Sequence, residues 1–141
     1  MAYINYQNLP STSTPLNATN LNSMQVAESG SNTNGKYIKF ADGTLICWHN
    51  IVVTSIPTTT TTGSLYCSNS ITPFPSFPVS FVGDNPILSL QGESDGDSNL
   101  WWIVKSQNNS TTAVRGIRIY SATSITISNA RLEYMAIGRW K

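Results

Sequence analysis

The chain has 141 residues, 40% of them hydrophobic and only 11% charged. That length suits one domain with a core plus an extension. Eight Lys and Arg stand against seven Asp and Glu, a balance that gives no electrostatic case for nucleic acid or an anionic membrane as partner.

Residues 1–35 contain one charged side chain, Glu28. Tyr3, Ile4, Tyr6 and Leu9 suggest a short extended segment. Pro10 to Pro15 reads as a turn or extended link, because proline disfavours helix at the residue before it. The first residues lack the basic and apolar regions of a secretory signal, so no export signal is read. Asn17 suits the N-cap of a helix running to Val26, with Ala18, Leu21 and Met24 on a narrow apolar stripe. A helix of two or three turns is marginal alone in water. It is expected to lie on the domain or to serve attachment or oligomerisation. Residues 29–34, SGSNTN, read as a linker by composition.

From Gly35 onward the sequence turns to β patterning. GKYIKF and TLICWHNIVV flank Asp42-Gly43, a strong short-range hairpin signal, because glycine takes positive φ without steric cost. Residues 57–63, PTTTTTG, read as a loop, and Leu65 to Cys67 as a short strand. Pro73, Pro75 and Pro78 exclude a central strand and fit an edge or a covering loop. Further strands are expected at residues 87–90, 100–106, 114–120 and 130–140, with a short candidate at 124–128. Polar turns separate them. Several short strands spaced by turn signals predict an antiparallel β-sandwich or small barrel. No apolar run approaches the roughly 20 residues of a membrane-spanning helix.

Cys47 and Cys67 are the only cysteines and are read as reduced and packed. His49, the only histidine, shares a strand face with Cys47, so the two point the same way instead of at each other, unlike a nucleophile and its base. Cys47, His49 and Cys67 are one ligand short of a closed zinc site. Glu93, Asp95, Asp97 and Asn99 alternate in a polar loop, but Gly96 and Val104 are misplaced for a calcium loop, and a solvated turn is the reading. No metal and no cofactor is expected.

Trp101 and Trp102 are adjacent, so on a strand they face opposite sides. Either one is core and the other meets solvent or a neighbouring subunit, or both are buried. An exposed Trp suits a sugar, whose C–H face stacks on the indole. Trp101, Trp102, Tyr134, Arg139 and Trp140 are the candidate receptor- or glycan-contacting residues, with Trp48 a further contributor.

Three stretches carry a resemblance. YIKFADGTLICW resembles the strand-turn-strand that opens the C-terminal domains of many bacteriophage tail fibres and related virion appendage proteins. TPLNATNLN is similar to a segment near the N-terminus of many phage structural proteins. FPVSFVGDNPILSL, LWWIV, GIRIY and EYMAIGRWK resemble the strand order of the H-type lectin fold, a six-stranded antiparallel sandwich that assembles as a trimer and is used by some phage fibre tips.

The resemblance implies a mainly β protein: an H-type-lectin-like antiparallel β-sandwich at residues 35–141, preceded by an N-terminal attachment segment and linker at 1–34. It implies a homotrimeric appendage of a virion, a tail or head fibre, without enzymatic activity or membrane insertion. Leu16, Leu21 and Met24 would dock the N-terminal segment on other virion proteins, and the sandwich would meet a host-surface glycan or receptor. The alternative is a structural collar or assembly component that contacts virion proteins alone.

Overall fold

The computed structural model describes residues 18–23, 25–71, 74, 76–94 and 101–141. A short helix, α1 (Ala18–Ser23), leads into β1 (Val26–Asn32), β2 (Gly35–Phe40) and β3 (Thr44–Thr58). Three short or middling strands follow, β4 (Thr60–Thr62), β5 (Leu65–Cys67) and β6 (Ile87–Ser94). The chain ends with β7 (Trp101–Lys105), β8 (Ile117–Ser121) and β9 (Ile125–Arg139). These strands form an antiparallel sandwich: a five-stranded sheet in the order β1-β2-β3-β9-β6 and a four-stranded sheet in the order β4-β5-β8-β7.

The hairpin expected at Asp42-Gly43 is present. Gly43 has φ 95° and its N–H donates to the Phe40 carbonyl at 3.0 Å. Asp42 accepts from the Thr44 N–H at 2.8 Å and from the Thr44 hydroxyl at 3.0 Å. The turn therefore satisfies its own polar groups and fixes the register Lys39↔Leu45.

The five-stranded sheet is built on β3 and β9, each 15 residues long and paired from Thr44↔Arg139 to Thr58↔Ile125. Ser55 takes φ 56°, a conformation that turns the strand over locally. Before it, Leu45 and Cys47 face the core; after it, Ile56 and Thr58 do. β9 changes faces at the matching place, between Ile127 and Ala130, so the ladder keeps its register through the twist.

The core lies between the sheets. Leu45, Cys47, Ile127, Leu132, Tyr134 and Ala136 from one sheet meet Ile117 and Ile119 from the other. The proline-rich stretch acts as the expected cover: Phe77 and Phe81 are buried, edge-to-face with centroids 5.0 Å apart. Its backbone is held by Phe77 N–H to Thr112 O and Phe81 N–H to Thr111 O, both 2.8 Å. Pro73 and Pro75 lie outside the described residues.

Several expectations are corrected. The linker assigned to residues 29–34 is the second half of β1 and a turn: β1 pairs with β2 from Val26↔Phe40 to Asn32↔Gly35. Its sequence, VAESGSN, lacks alternation because it is an edge strand that is largely exposed. The helix is shorter than the stretch from Asn17 to Val26, ending at Ser23. Residues 57–63 are mostly strand, not loop. Pro57 is tolerated there because β2 pairing stops at Trp48, which leaves that part of β3 partnered by β9 alone. The two candidate strands at 124–128 and 130–140 are one, β9.

Candidate functional site

β3 and β9 are apolar on both faces, and that double patterning produces the most conspicuous surface. A strand covered on one face should alternate apolar with polar. Here Ile46 and Trp48 alternate with buried Leu45 and Cys47, and Met135 and Ile137 alternate with buried Tyr134 and Ala136. Their outward side chains line up in rows across the sheet. One row is Ile38, Ile46, Ile137 and Ile87; the next is Lys36, Trp48, Met135 and Ser89. Ile87 is 79% exposed, Met135 49% and Ile137 42%.

Beside this stripe lies a groove of about 330 Å³ lined by Trp48, Asn50, Ser89, Gln91, Glu133 and Met135, among others. Asn50 Nδ2 donates to Glu133 Oε1 at 2.8 Å, which orients the carboxylate across the strands. At the far end of the stripe a shallower hollow of about 540 Å³ is bordered by Val82, Ile87, Ile137 and Arg139. The face thus has an apolar centre with polar groups around it, the layout of a protein–protein contact.

The sequence-predicted residues are scattered. Tyr134 is a core residue, not a surface one: it is 3% exposed, stacks edge-on against Phe77 at 5.6 Å and donates its hydroxyl to the Asn34 carbonyl at 3.2 Å. Burial holds its phenol well above the usual tyrosine range. Trp101 packs inward, against the core and over Gly92. Arg139 and Trp140 come together at the β2–β3 turn and fasten it. Arg139 Nη2 donates to the Asp42 carbonyl at 2.6 Å, and Trp140 Nε1 to the Phe40 carbonyl at 2.9 Å. The Trp140 ring also receives two ammonium groups, Lys39 at 5.3 Å and Lys141 at 4.9 Å.

Trp102 alone of the five stands at an outer sheet face away from that turn. It is 36% exposed and stacks on Tyr120 across β7 and β8, with centroids 6.3 Å apart and planes 19° from parallel. Of the attachment residues, Leu21 is half-buried on α1, while Leu16 and Met24 lie outside the described residues, as do Asp95, Asp97 and Asn99.

Cys47 and His49 share the inner face of β3. The Cys47 thiol points to the Val79 carbonyl at 3.8 Å, and burial pushes its pKa up to about 11. Burial also lowers the His49 pKa; its ring stands edge-on to Tyr134 at 6.4 Å. Both cysteines are free and buried. No group of three or more His, Cys, Asp or Glu is gathered for a metal among the described residues.

The exposed residues Ile87, Met135 and Ile137 were missed as site residues. Their signal in the sequence is the double-sided apolar pattern of TLICW and YMAIG, which marks strands apolar on both faces.

The fold is similar to that of solved tail-fibre structures. An N-truncated R1-type pyocin tail fibre matches with a TM-score of 0.52 and 16% identity over 85% of this chain and 91% of that one. A longer C-terminal part of the R1 pyocin fibre of P. aeruginosa matches with a TM-score of 0.52 and 13% identity; the likeness covers 86% of this chain and 30% of that chain. No family model and no curated protein sequence matches the chain.

Proposed function

We propose that this chain is a subunit of a phage-type tail or head fibre, a homotrimer that carries a host-surface recognition domain and has no enzymatic activity. The observation that carries the reading is the fold likeness to a pyocin tail fibre, which spans 85% of the chain. The outer face of the five-stranded sheet supports self-association. Its exposed Ile87, Met135 and Ile137 form an apolar surface of the sort that marks an interaction site in soluble proteins. Closed symmetry is the rule for such contacts, and the fibre resemblance selects three copies. In this reading the H-type-lectin likeness of the C-terminal strands supports a glycan as the receptor class. The N-terminal segment, with Leu16, Leu21 and Met24, attaches the trimer to other virion proteins.

Light scattering should give about three times the chain mass of 15.4 kDa. Adsorption to host cells, with glycan-array binding alongside it, separates this reading from a structural collar. A trimer that adsorbs to no host cell and binds no glycan would favour the collar.

A further inference from the structure

The four-stranded sheet differs chemically from the five-stranded one. Its strands carry Lys105 and Arg118 and no carboxylate, whereas the five-stranded sheet mixes Glu28, Glu93 and Glu133 with Lys36, Lys39, Arg131 and Arg139. Its outer face presents the stacked pair Trp102 and Tyr120. Arg118 lies two residues before Tyr120 on β8, on the same face, and is paired across the sheet with Val104. Inward neighbours Ile117, Ile119 and Ser121 are fully buried, so the outward direction of Arg118 and Tyr120 follows from the strand period.

Among the described residues no ion pair or hydrogen bond is formed by the Arg118 guanidinium, and its Nε is buried without an acceptor. A buried guanidinium N–H without an acceptor is costly, and the planar fork of an arginine matches a carboxylate or phosphate. A flat aromatic surface beside it offers a stacking partner to a sugar ring. Trp102 and Arg118 are diagonal neighbours on one sheet face, about 7–8 Å apart along the backbone, close enough for their long side chains to meet one ligand.

We infer that the Trp102–Tyr120–Arg118 face binds an anionic saccharide, with the aromatic pair against the sugar ring and Arg118 on its carboxylate or phosphate. This rests on the glycan-binding reading above and names the ligand class and the residues. The ion pair would be salt-sensitive, the stacking much less so.

The test is binding of the full chain to two matched pairs of probes: oligogalacturonate against neutral oligogalactose, and phosphorylated mannan against mannan. At least one acidic probe should bind tenfold or more tightly than its neutral counterpart, and the advantage should shrink as salt is raised. The arm that responds tells carboxylate from phosphate. Trp102→Ala and Arg118→Gln should each weaken the acidic probe at least tenfold with the thermal transition retained, and Arg118→Lys should recover part of the loss. Should Arg118→Gln fail to fold, the exposed Trp102→Ala still decides. Equal binding of acidic and neutral probes, or binding untouched by Trp102→Ala, overturns this site while leaving glycan recognition standing. Binding of neither acidic probe also overturns it, and host-cell adsorption then judges the proposed function separately.

Discussion

Cys47 is fully buried on the inner face of β3, and the low polarity around it disfavours the thiolate, so its pKa rises to about 11. Labelling with a thiol reagent at about pH 8 should therefore be slow in the folded protein and fast in denaturant. Replacing Cys47 and Cys67 together with Ala should lower stability by about 1–3 kcal/mol through lost packing and leave the β spectrum intact; a collapsed spectrum would assign the thiols a larger structural role. His49 makes a pH prediction. Burial lowers its folded pKa below the ordinary value of about 6.5. The unfolded chain therefore takes up the proton first as pH falls. Its contribution is complete above about pH 6.5 and declines below it toward the folded pKa. Urea unfolding at about pH 5 and pH 7.5 should show the decline, and His49→Phe should flatten it; an unchanged slope would place its source in other groups. At this scale the sequence was informative where one face decided the matter. Cys47 and His49 were placed on a common face by the strand period, and the period also put Trp101 and Trp102 on opposite faces. It could not separate Tyr134 from a surface tyrosine, because its burial depends on Phe77, brought in by a loop distant along the chain.

At the scale of elements, the two sheets are joined by a small buried hydroxyl network. Thr58 on β3 and Ser121 on β8 are both fully buried, with their oxygens 2.7 Å apart. The Ile125 carbonyl lies 3.0 Å from the Thr58 oxygen and the Thr123 carbonyl 2.7 Å from that of Ser121; each hydroxyl has one hydrogen, so one of the two donates to the other hydroxyl and the second to its carbonyl. Thr58→Val keeps the shape and strands these partners, so it should cost about 1–3 kcal/mol. A denaturant midpoint equal to that of the wild type would show the network to be energetically idle. Gly138 is a second pressure point. A Cβ there would sit 2.7 Å from Phe81 Cδ1, and the Phe81 ring is buried. Strands with internal alternation or β-branched runs were legible: β2, β3, β5, β6, β7 and β8 all lie within or overlap their predicted stretches. The polar edge strand β1 was not, since its exposure removes the apolar period that announces a strand. Nor was the continuity of β9, because the face change near Asn129 breaks the alternation and imitates a strand end.

For the whole molecule, the position of β1 changes where the folded unit begins. Glu28 on β1 accepts from the Tyr37 hydroxyl at 2.5 Å and from Lys39 at 2.7 Å, and β1 stays paired with β2 from Ser29↔Ile38 to Asn32↔Gly35, so the sheet incorporates residues 29–32 despite their linker-like composition. A chain starting at Val26 should keep its thermal transition, whereas one starting at Gly35 loses an edge strand and should melt lower; equal melting would make β1 dispensable. The same scale decides the self-association proposed for the outer sheet face. Ile87 and Ile137 are 79% and 42% exposed and occupy one row across β6 and β9. Charge at such positions costs the isolated subunit little, because the side chains already meet water, but it is prohibitive between apposed apolar faces without a partner of opposite sign. Ile87→Lys with Ile137→Lys should therefore yield a species near 15.4 kDa by light scattering, with an unchanged β spectrum. The wild-type melting temperature should rise with protein concentration, as association stabilises the folded form by mass action, and that of the double variant should not. A double variant that still measures as a trimer would move the interface off this face, and a wild type that is monomeric at micromolar concentration would remove it altogether.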